Sequence, residues 1–513
     1  VFTHQGEREF GWPRDTNLNM MSSPALGDLD NDDIDDIVIC SEQEGVHAYL
    51  STSQNWVRSA STRANISFTL TSPLIADLEN DGVLEVLMVN DSGTVYAWRN
   101  DGQSVIPGNE GIFAQTDLGG GSFGFPCLAV ADLDKDGEKE VIVGSSTYYL
   151  EPRGGIYIFD IEGNKILEPG DYPDVFDHIA GIAVANIDQN DDLEIIVFGA
   201  DTSYFALWAF KKDGTQPDPY PIIIEDLFPG GWYGNHPAVG DLEGDGILEI
   251  VVSAWTPGEA RIYAWHQDGT PLGSIESNGL LVSMKSNESE RTKEILSSLG
   301  SNIGEITAHI RNMSKEELSS LISNSQDPVF AHVAETFGSP VLADMNQDGY
   351  ADIIIRAGYL LGSGYERVFV WDYEGNLIPG FPIYASPEPG MVNDFPYTPL
   401  VADLDKDKKL DMVLATDWPN YTVIFWEFES YYDWTTAHWP QYMHDKNNSG
   451  IFELENYGGY GISNVVYMIN YIFKSGPQPV PFERGDVNCD GEIDIRDVVY
   501  LINYLFKGGP APC

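Results

Sequence analysis

Seven times along this chain, oxygen-bearing side chains stand at positions 1, 3, 5 and 9 of a nine-residue stretch. The sets are Asp28/Asp30/Asp32/Asp36, Asp77/Glu79/Asp81/Glu85, Asp132/Asp134/Asp136/Glu140, Asn186/Asp188/Asn190/Glu194, Asp241/Glu243/Asp245/Glu249, Asp344/Asn346/Asp348/Asp352 and Asp403/Asp405/Asp407/Asp411. Side chains at positions 1, 3 and 5 of a tight loop converge on one point. A residue tolerant of positive φ at position 6 makes the turn, and an acid at position 9 closes the cage. Gly82, Gly137, Gly246 and Gly349 fill position 6 in four copies; Asp33 and Asp191 tolerate that conformation, and Lys408 fits it less well. Hard oxygen donors with no His or Cys select Ca²⁺ over zinc or copper. The expectation is about seven calcium sites, the fourth weakened by Asn186 and Asn190 and the seventh by Lys408.

Something must present these loops in register. Successive first ligands are 49, 55, 54, 55, 103 and 59 residues apart. Each loop runs into an apolar stretch such as Ile37-Val38-Ile39. An aromatic pair at i, i+2 follows, its second member 21 to 27 residues after the first ligand. The pairs are His47/Tyr49, where His stands in, then Tyr96/Trp98, Tyr157/Phe159, Trp208/Phe210, Tyr263/Trp265 and Phe369/Trp371; the seventh copy reads Phe425-Trp426-Glu427-Phe428. Alternation at period two predicts strands with one aromatic face, packed between neighbouring sheets. Five pairs lead to an acid-Gly hairpin, at Asp101-Gly102, Glu162-Gly163, Asp213-Gly214, Asp268-Gly269 and Glu374-Gly375. A unit of about 50 residues thus holds roughly four short strands, the size of a propeller blade.

The pattern resembles the FG-GAP repeats of integrin-α-type propellers, over residues 1–450. The resemblance implies a mainly β chain built as a seven-bladed β-propeller, with structural calcium loops that tie strands within a blade. Trp439-Pro440-Gln441-Tyr442-Met443-His444-Asp445 looks like the closing signature of bacterial surface proteins of this kind. Gly11-Trp12-Pro13 echoes Gly380-Phe381-Pro382, which suggests that the N-terminus supplies a strand to close the ring.

Two segments break the rhythm. Between blades five and six, residues 283–335 carry apolar residues at helical spacing (Ile295, Leu296 and Leu299; Ile303, Ile306 and Ile310; Leu318, Leu321 and Ile322), with Ser314-Lys315-Glu316-Glu317 as a capping box. This predicts a helical insertion, either decorative or a partner-binding knob or lid. Beyond Asn447-Asn448-Ser449-Gly450 the sequence repeats itself, Val465–Lys474 matching Val498–Lys507. Asp486, Asn488, Asp490 and Asp497, with Gly491 at position 6, form an EF-hand-type loop feeding a helix. Residues 453–513 resemble the dockerin family, a small α-helical EF-hand-like module that binds cohesin domains. The first copy has Glu453, Glu455, Tyr457 and Asn464 in the ligand positions, so one calcium is expected here, not two. The family's partner-contact positions fall near Ile462, Ser463, Ile495 and Arg496. The alternative is a small domain capping its own propeller.

With Asp+Glu 80 against Lys+Arg 27, the net charge of −53 argues against nucleic acid, whose phosphates it repels. No apolar stretch is long enough to span a bilayer. Val1 in place of an initiator Met suggests a mature chain processed from a signal-peptide precursor, hence secreted or on the cell surface. Cys489 and Cys513 bracket the last module and could pair, which suits an oxidising compartment; Cys40 and Cys127 lie in apolar strand-like contexts and read as buried free thiols. Catalysis requires a clustered acid, base or nucleophile. The nine His residues are scattered, His178 and His236 lie outside any motif, and the paired carboxylates are accounted for as metal ligands. The first expectation is therefore an extracellular calcium-binding scaffold or adhesion protein, not an enzyme. Its last module joins it to a cohesin-like domain or to another copy of itself, in a filament or layer. A lectin-like propeller that binds a glycan, with Trp232-Tyr233 and Trp255 as candidates, is the alternative; a secreted polysaccharide lyase or hydrolase is the second.

Overall fold

The computed structural model describes residues 22–32, 34–41, 45–50, 55–58, 72–90, 92–116, 127–146, 154–172, 176, 178–188, 190, 192–201, 204–224, 235–256, 259–272, 280–285, 334–359, 367–384, 398–404, 407–415, 423–431, 437–441, 443–445, 448–452, 487–488 and 493–507. Gly11-Trp12-Pro13, the insertion from 286 to 333 and the first copy of the C-terminal repeat lie outside these residues.

The chain is mainly β, and the described strands form seven sheets. The first holds β1 (Ala25–Gly27), β2 (Asp36–Ser41), β3 (Gly45–Tyr49) and β4 (Trp56–Arg58), in that spatial order. The second holds β5 (Leu74–Ala76), β6 (Glu85–Val89), β7 (Thr94–Arg99) and β8 (Ile112–Gln115). The third holds β9 (Cys127–Ala131), β10 (Glu140–Ser146), β11 (Gly154–Phe159) and β12 (Lys165–Leu167). The fourth holds β13 (His178–Ala185), β14 (Glu194–Ala200), β15 (Phe205–Phe210) and β16 (Ile222–Ile224). The fifth holds β17 (Ala238–Gly240), β18 (Glu249–Thr256), β19 (Glu259–His266) and β20 (Leu280–Lys285). In the sixth, β21 (Ala334–Phe337) and β22 (Val341–Ala343) both pair with β23 (Asp352–Tyr359), followed by β24 (Arg367–Trp371) and β25 (Ile383–Tyr384). The seventh holds β26 (Leu400–Ala402), β27 (Lys409–Ala415) and β28 (Val423–Tyr431). A short β29 (Ile451–Phe452) adds in parallel to β13.

One register recurs in every sheet. The residue just before each loop pairs with the acid that ends it: Gly27↔Asp36, Ala76↔Glu85, Ala131↔Glu140, Ala185↔Glu194, Gly240↔Glu249, Ala343↔Asp352 and Ala402↔Asp411. The position is Gly or Ala each time, and at the two glycines other chain packs directly on it. A Cβ on Gly27 would lie 3.1 Å from Ile75 Cγ2 of the next sheet. One on Gly240 would lie 2.7 Å from His438 Cβ and 3.1 Å from Leu342 Cδ1. Overpacking of this kind typically costs about 1–3 kcal/mol. Gly240→Val is therefore expected to lower stability by about that amount in calorimetry, with metal content unchanged.

Between sheets lie the apolar clusters. Each joins residues of consecutive sheets, the first sheet with the second and so on to the sixth with the seventh. The aromatic pairs form their centres. Tyr96 and Trp98 stack at 5.4 Å, Tyr263 and Trp265 at 5.8 Å, and Phe369 and Trp371 at 5.3 Å, all buried. Burying one such ring contributes about 1.5–3 kcal/mol, so the stripes stabilise the stack of sheets. The seventh copy departs from this, with Phe425 exposed and Trp426 only partly covered.

The insertion is a few residues shorter at each end than the 283–335 that the 103-residue step predicts, and its helical spacing lies outside the described residues. Ser283–Lys285 complete β20, where Val282 pairs with Ile262 and Lys285 with Glu259, and Ala334–Glu335 begin β21. Outer strands need only a few residues with one covered face, and the boundary residues satisfy that before the helical period starts.

The described residues between 437 and 452 touch all seven sheets. His438 Nδ1 accepts the Asp241 N–H of the fifth sheet's loop. Trp439 exchanges backbone hydrogen bonds with Leu342 of the sixth sheet, and Pro440 O accepts from Val401 N of the seventh. Asn448 Nδ2 donates to Pro24 O and Pro73 O, just ahead of the first strands of sheets one and two. Gly450 lies against Ala129 of the third sheet, and its carbonyl accepts from Val184 N of the fourth. Asp445 stabilises the segment internally by accepting from Ser449 N and Oγ. Although burial raises the Asp445 pKa, the neighbouring His444 ring at 3.8 Å and the bonds from Ser449 outweigh this and hold it below the ordinary carboxylate range.

Candidate metal centres

Each loop is built from its own backbone N–H groups. The acid at position 9 turns back and accepts the N–H at position 2 in all seven: Leu29 to Asp36, Leu78 to Glu85, Leu133 to Glu140, Ile187 to Glu194, Leu242 to Glu249, Met345 to Asp352 and Leu404 to Asp411, at 2.7 to 2.9 Å. The position-1 carboxylate accepts the N–H at position 6, as in Gly82 to Asp77, Gly246 to Asp241 and Lys408 to Asp403. The position-5 side chain accepts the N–H at position 7, as in Val83 to Asp81 and Ile247 to Asp245. Lys408 takes the φ of 73° that the turn requires, so the poorer fit of a Cβ there is accommodated. Position 4 is also left-handed, at Asn31, Asn80, Lys135, Gly244 and Gln347, a requirement that sequence reading missed.

Position 5 lies at the exposed edge of six loops, at Asp81, Asp136, Asn190, Asp245, Asp348 and Asp407, and so do Glu79 and Asn346 at position 3. Asn346 Nδ2 donates to Asp348 Oδ2 at 2.9 Å, and Asp348 N donates back to Asn346 Oδ1 at 2.8 Å. Asp348 Oδ1 in turn accepts Tyr350 N at 3.0 Å, so both of its oxygens are bonded within the loop. The physical reason is the amide, which carries donors that a carboxylate lacks and so binds the neighbouring acid instead of repelling it. In the seventh loop Asp407 Oδ1 accepts Lys409 N at 2.7 Å. The enclosed oxygens here come from Asp344 and Asp352, which are buried, and from Asp403 Oδ1.

The bond to position 2 leaves the second oxygen of each closing acid for another partner. Glu85 Oε1, Glu194 Oε1 and Asp352 Oδ1 are buried with no hydrogen bond, and so are Asp134 Oδ1, Asn186 Oδ1 and Asp403 Oδ1 at other ligand positions. Ionised carboxylates only accept, so the missing partner is a donor or a cation. Burial is the main cause that pushes Glu85 and Glu194 up to about 7, Asp352 to about 8 and Glu249 to about 9, with neighbouring loop carboxylates adding to each. A bound cation supplies the opposite charge that such sites lack. The donor set therefore fits a hard divalent ion. Ligand atoms of Asp28, Asp30 and Asp32, and of Asp132, Asp134 and Asp136, lie within 4.8 Å of one another.

The loops are not equivalent, because some contain a basic side chain. Arg99 pairs with Glu79 at 2.8 Å in the second. Lys212 reaches back from the fourth sheet into the third loop, 2.8 Å from both Asp134 Oδ2 and Glu140 Oε1. Burial works against the Lys212 charge, but its bonds to Asp134 and Glu140 outweigh that and raise its pKa above the lysine value. In the fourth loop Lys211 pairs with Asp188 and lies 3.9 Å from Glu194 Oε1, so one ammonium addresses both charged ligands. His266 joins the fifth loop, Nδ1 at 2.8 Å from Glu249 Oε1 and 3.7 Å from Glu243 Oε2. None of these groups lies in a ligand position of the nine-residue pattern. The signal that could have found Arg99, Lys211 and His266 is their place just after the aromatic pair, which the strand register carries back over the loop. Removing the Lys212 ammonium is expected to tighten calcium at the third loop. Lys212→Met should gain roughly tenfold in affinity for one site in calorimetric titration, about 1.4 kcal/mol; unchanged isotherms would remove Lys212 from the site.

In the C-terminal loop, Asp497 lies at the start of α1 (Ile495–Lys507) and is fully buried. Its carboxylate accepts from Asn488 N at 3.2 Å and Asp494 N at 2.9 Å, which folds position 12 back over position 3. Ile495 and Val499 are exposed, and Arg496 pairs with Asp494 at 2.7 Å. Asp405, Asp486, Asp490, Ile462, Ser463, Cys489, Cys513, Trp232 and Tyr233 lie outside the described residues. Cys40 and Cys127 are buried free thiols, which burial pushes up to about 12. Ser41 Oγ lies 3.0 Å from His47 Nε2, but both are buried. A cleft of about 410 Å³ is lined by Arg58, Tyr96, Trp98, Ser104 and Glu110.

The chain contains FG-GAP-like repeats, matched over residues 28–88 and 77–143. No curated protein matches it. Among solved structures it is similar to a europium-containing methanol dehydrogenase, at 11% identity and a TM-score of 0.39, covering 82% of this chain and 81% of that one. It is similar to BBS1N in complex with ARL6DN, at 11% and 0.37, covering 79% and 92%. It is also similar to the quinohemoprotein alcohol dehydrogenase ADHIIG from Pseudomonas putida HK5, at 13% and 0.35, covering 75% and 61%.

Proposed function

We propose that the seven sheets are the blades of a β-propeller stapled by calcium, and that the chain is a secreted or surface-exposed scaffold or adhesion protein rather than an enzyme. The carrying observation is that the closing acid bonds the loop backbone with one oxygen in all seven loops, and that in three of them, at Glu85, Glu194 and Asp352, the other oxygen is buried with no hydrogen bond. Oxygen donors at this density suit Ca²⁺, and weak extracellular sites stay loaded where calcium is millimolar. The described residues between 437 and 452 bond or pack against all seven sheets, which in a propeller would fill the centre where a ligand site opens. That leaves the outer surface and the C-terminal module for recognition.

The C-terminal module is read as dockerin-like, with one calcium at Asp486, Asn488, Asp490 and Asp497. The first two turns of α1 offer Ile495, Arg496 and Val499 to a protein partner, either a cohesin-like domain or a second copy of the chain. Light scattering and electron microscopy of the chain in calcium test self-assembly. Ordered particles are expected, lost in EDTA and in Ile495→Asp. A monodisperse monomer under all conditions would exclude self-assembly and leave the cohesin-like partner.

The cleft beside Arg58 favours carbohydrate binding as a second reading, since sugar sites combine aromatic walls with a few polar groups. Its Tyr96 and Trp98 are buried in the core and present little face for stacking, so assembly remains the first reading.

A further inference from the structure

Six of the seven loops offer a cation only oxygen from their ligand positions; the fifth adds a ring nitrogen. Strand register places it there. Glu249 opens β18 and pairs directly with His266, the last residue of β19. The histidine backbone is fixed on both sides of the following hairpin, its N–H bonded to Thr270 O and its carbonyl accepting from Gly269 N. Glu249 is wholly buried, and Leu242 N holds its Oε2 at 2.7 Å, so Oε1 is aimed at the ring. Both Asp241 oxygens accept from the backbone, from Asp245 N and Gly246 N.

We infer that the fifth loop is a mixed nitrogen–oxygen site for a first-row transition-metal dication, held by His266 Nδ1, Glu249 Oε1 and Glu243 Oε2. The inference rests on the reading of the loops as cation sites and changes which ion this one takes. The three ligand atoms lie within 4.8 Å of one another. With bonds of about 2.1 Å, the separations of 2.8 and 3.7 Å at Nδ1 subtend roughly 84° and 124° at the metal. Those angles bracket tetrahedral and octahedral geometry. Imidazole is a borderline donor that suits zinc, copper, nickel and iron and contributes little to calcium, so this single substitution reverses the preference of the loop. Arg99 and Lys211 follow the aromatic pair at the same place in the second and fourth sheets, where they bring a positive charge to the acids instead.

The test is a titration of the full chain, stripped with chelator and then held in millimolar calcium, with Co²⁺ followed by its visible d–d absorption and Zn²⁺ followed by calorimetry. One equivalent is expected to bind in the presence of calcium. His266→Gln should abolish the absorption band and weaken that site on the order of 100-fold, while calcium binding at the other loops persists. Glu243→Gln, at a partly exposed position, gives the same readout without disturbing the buried acid. A melting curve of each variant in calcium checks that it is folded. A Co²⁺ site indifferent to both substitutions, or no such site at all, overturns the inference. If calcium binds and stabilises while Co²⁺ finds no site, only this inference fails. If no divalent ion binds anywhere, the reading of the loops fails with it.

Discussion

Excess EDTA is expected to lower the melting temperature of this chain by roughly 10 °C or more. Each site loaded at ten times its dissociation constant contributes about 1.4 kcal/mol, and several such loops act together. The closing acids give the result a second dimension, its dependence on pH. Without metal, the folded-state pKa values of Glu85 and Glu194 near 7, Asp352 near 8 and Glu249 near 9 stand above their unfolded values. The folded chain then binds more protons than the unfolded one, so its stability falls as pH rises from about 5 towards 9. With calcium bound the same oxygens carry metal, and protons compete with it, so stability rises over the lower part of that range. Melting curves at several pH values, with and without EDTA, should therefore slope in opposite directions. Parallel curves would sink the assignment of these acids as ligands.

Trp439→Ala is expected to cost about 3–5 kcal/mol, near the top of the range for a single core substitution. Trp439 is fully buried, and its backbone bridges Leu342 of the sixth sheet in both directions. Its neighbours on either side reach the fifth and seventh sheets. The ring itself packs in the apolar cluster shared by the fourth, fifth and sixth sheets, so its loss loosens three sheets at once and not one. Denaturant titration measures the effect, and a loss below about 1 kcal/mol would mean that the segment merely lies on sheets that are stable without it. Trp439→Phe retains most of the apolar area and should recover most of the loss.

What the sequence makes legible is whatever repeats. The loops, the aromatic pairs and the acid-Gly hairpins recur at a spacing set by one folding unit, and the structure places each described copy in its own sheet. The ligand positions could be listed because they are local, within nine residues of one another. How far each is enclosed could not: the pattern treats all four positions alike, yet Glu85, Glu140, Glu249 and Asp352 are buried while Asp81, Asp136, Asp245 and Asp348 are exposed. His266 and Lys212 escape the pattern altogether, because they enter through strand register and through packing of one sheet on the next. Neither leaves a mark in the spacing of the acids. The limits of the insertion shifted for a similar reason, since Ser283–Lys285 become a strand only by pairing with β19. Trp439–Asp445 is conspicuous as a motif, but its contacts with Leu342 and Val401, and that of the following Asn448 with Pro24, have no period that a single sequence could display.

That last segment also determines how the molecule bears load. A pull on the chain beyond Phe452 enters through the parallel pairing of β29 with β13 and then through residues anchored on every other sheet. Traction from a tether on that side is shared among the sheets as it is among the spokes of a wheel, instead of peeling the seventh sheet away first. A segment held by several sheets leaves only when each of them yields, so its resistance to extraction grows with each sheet that it touches.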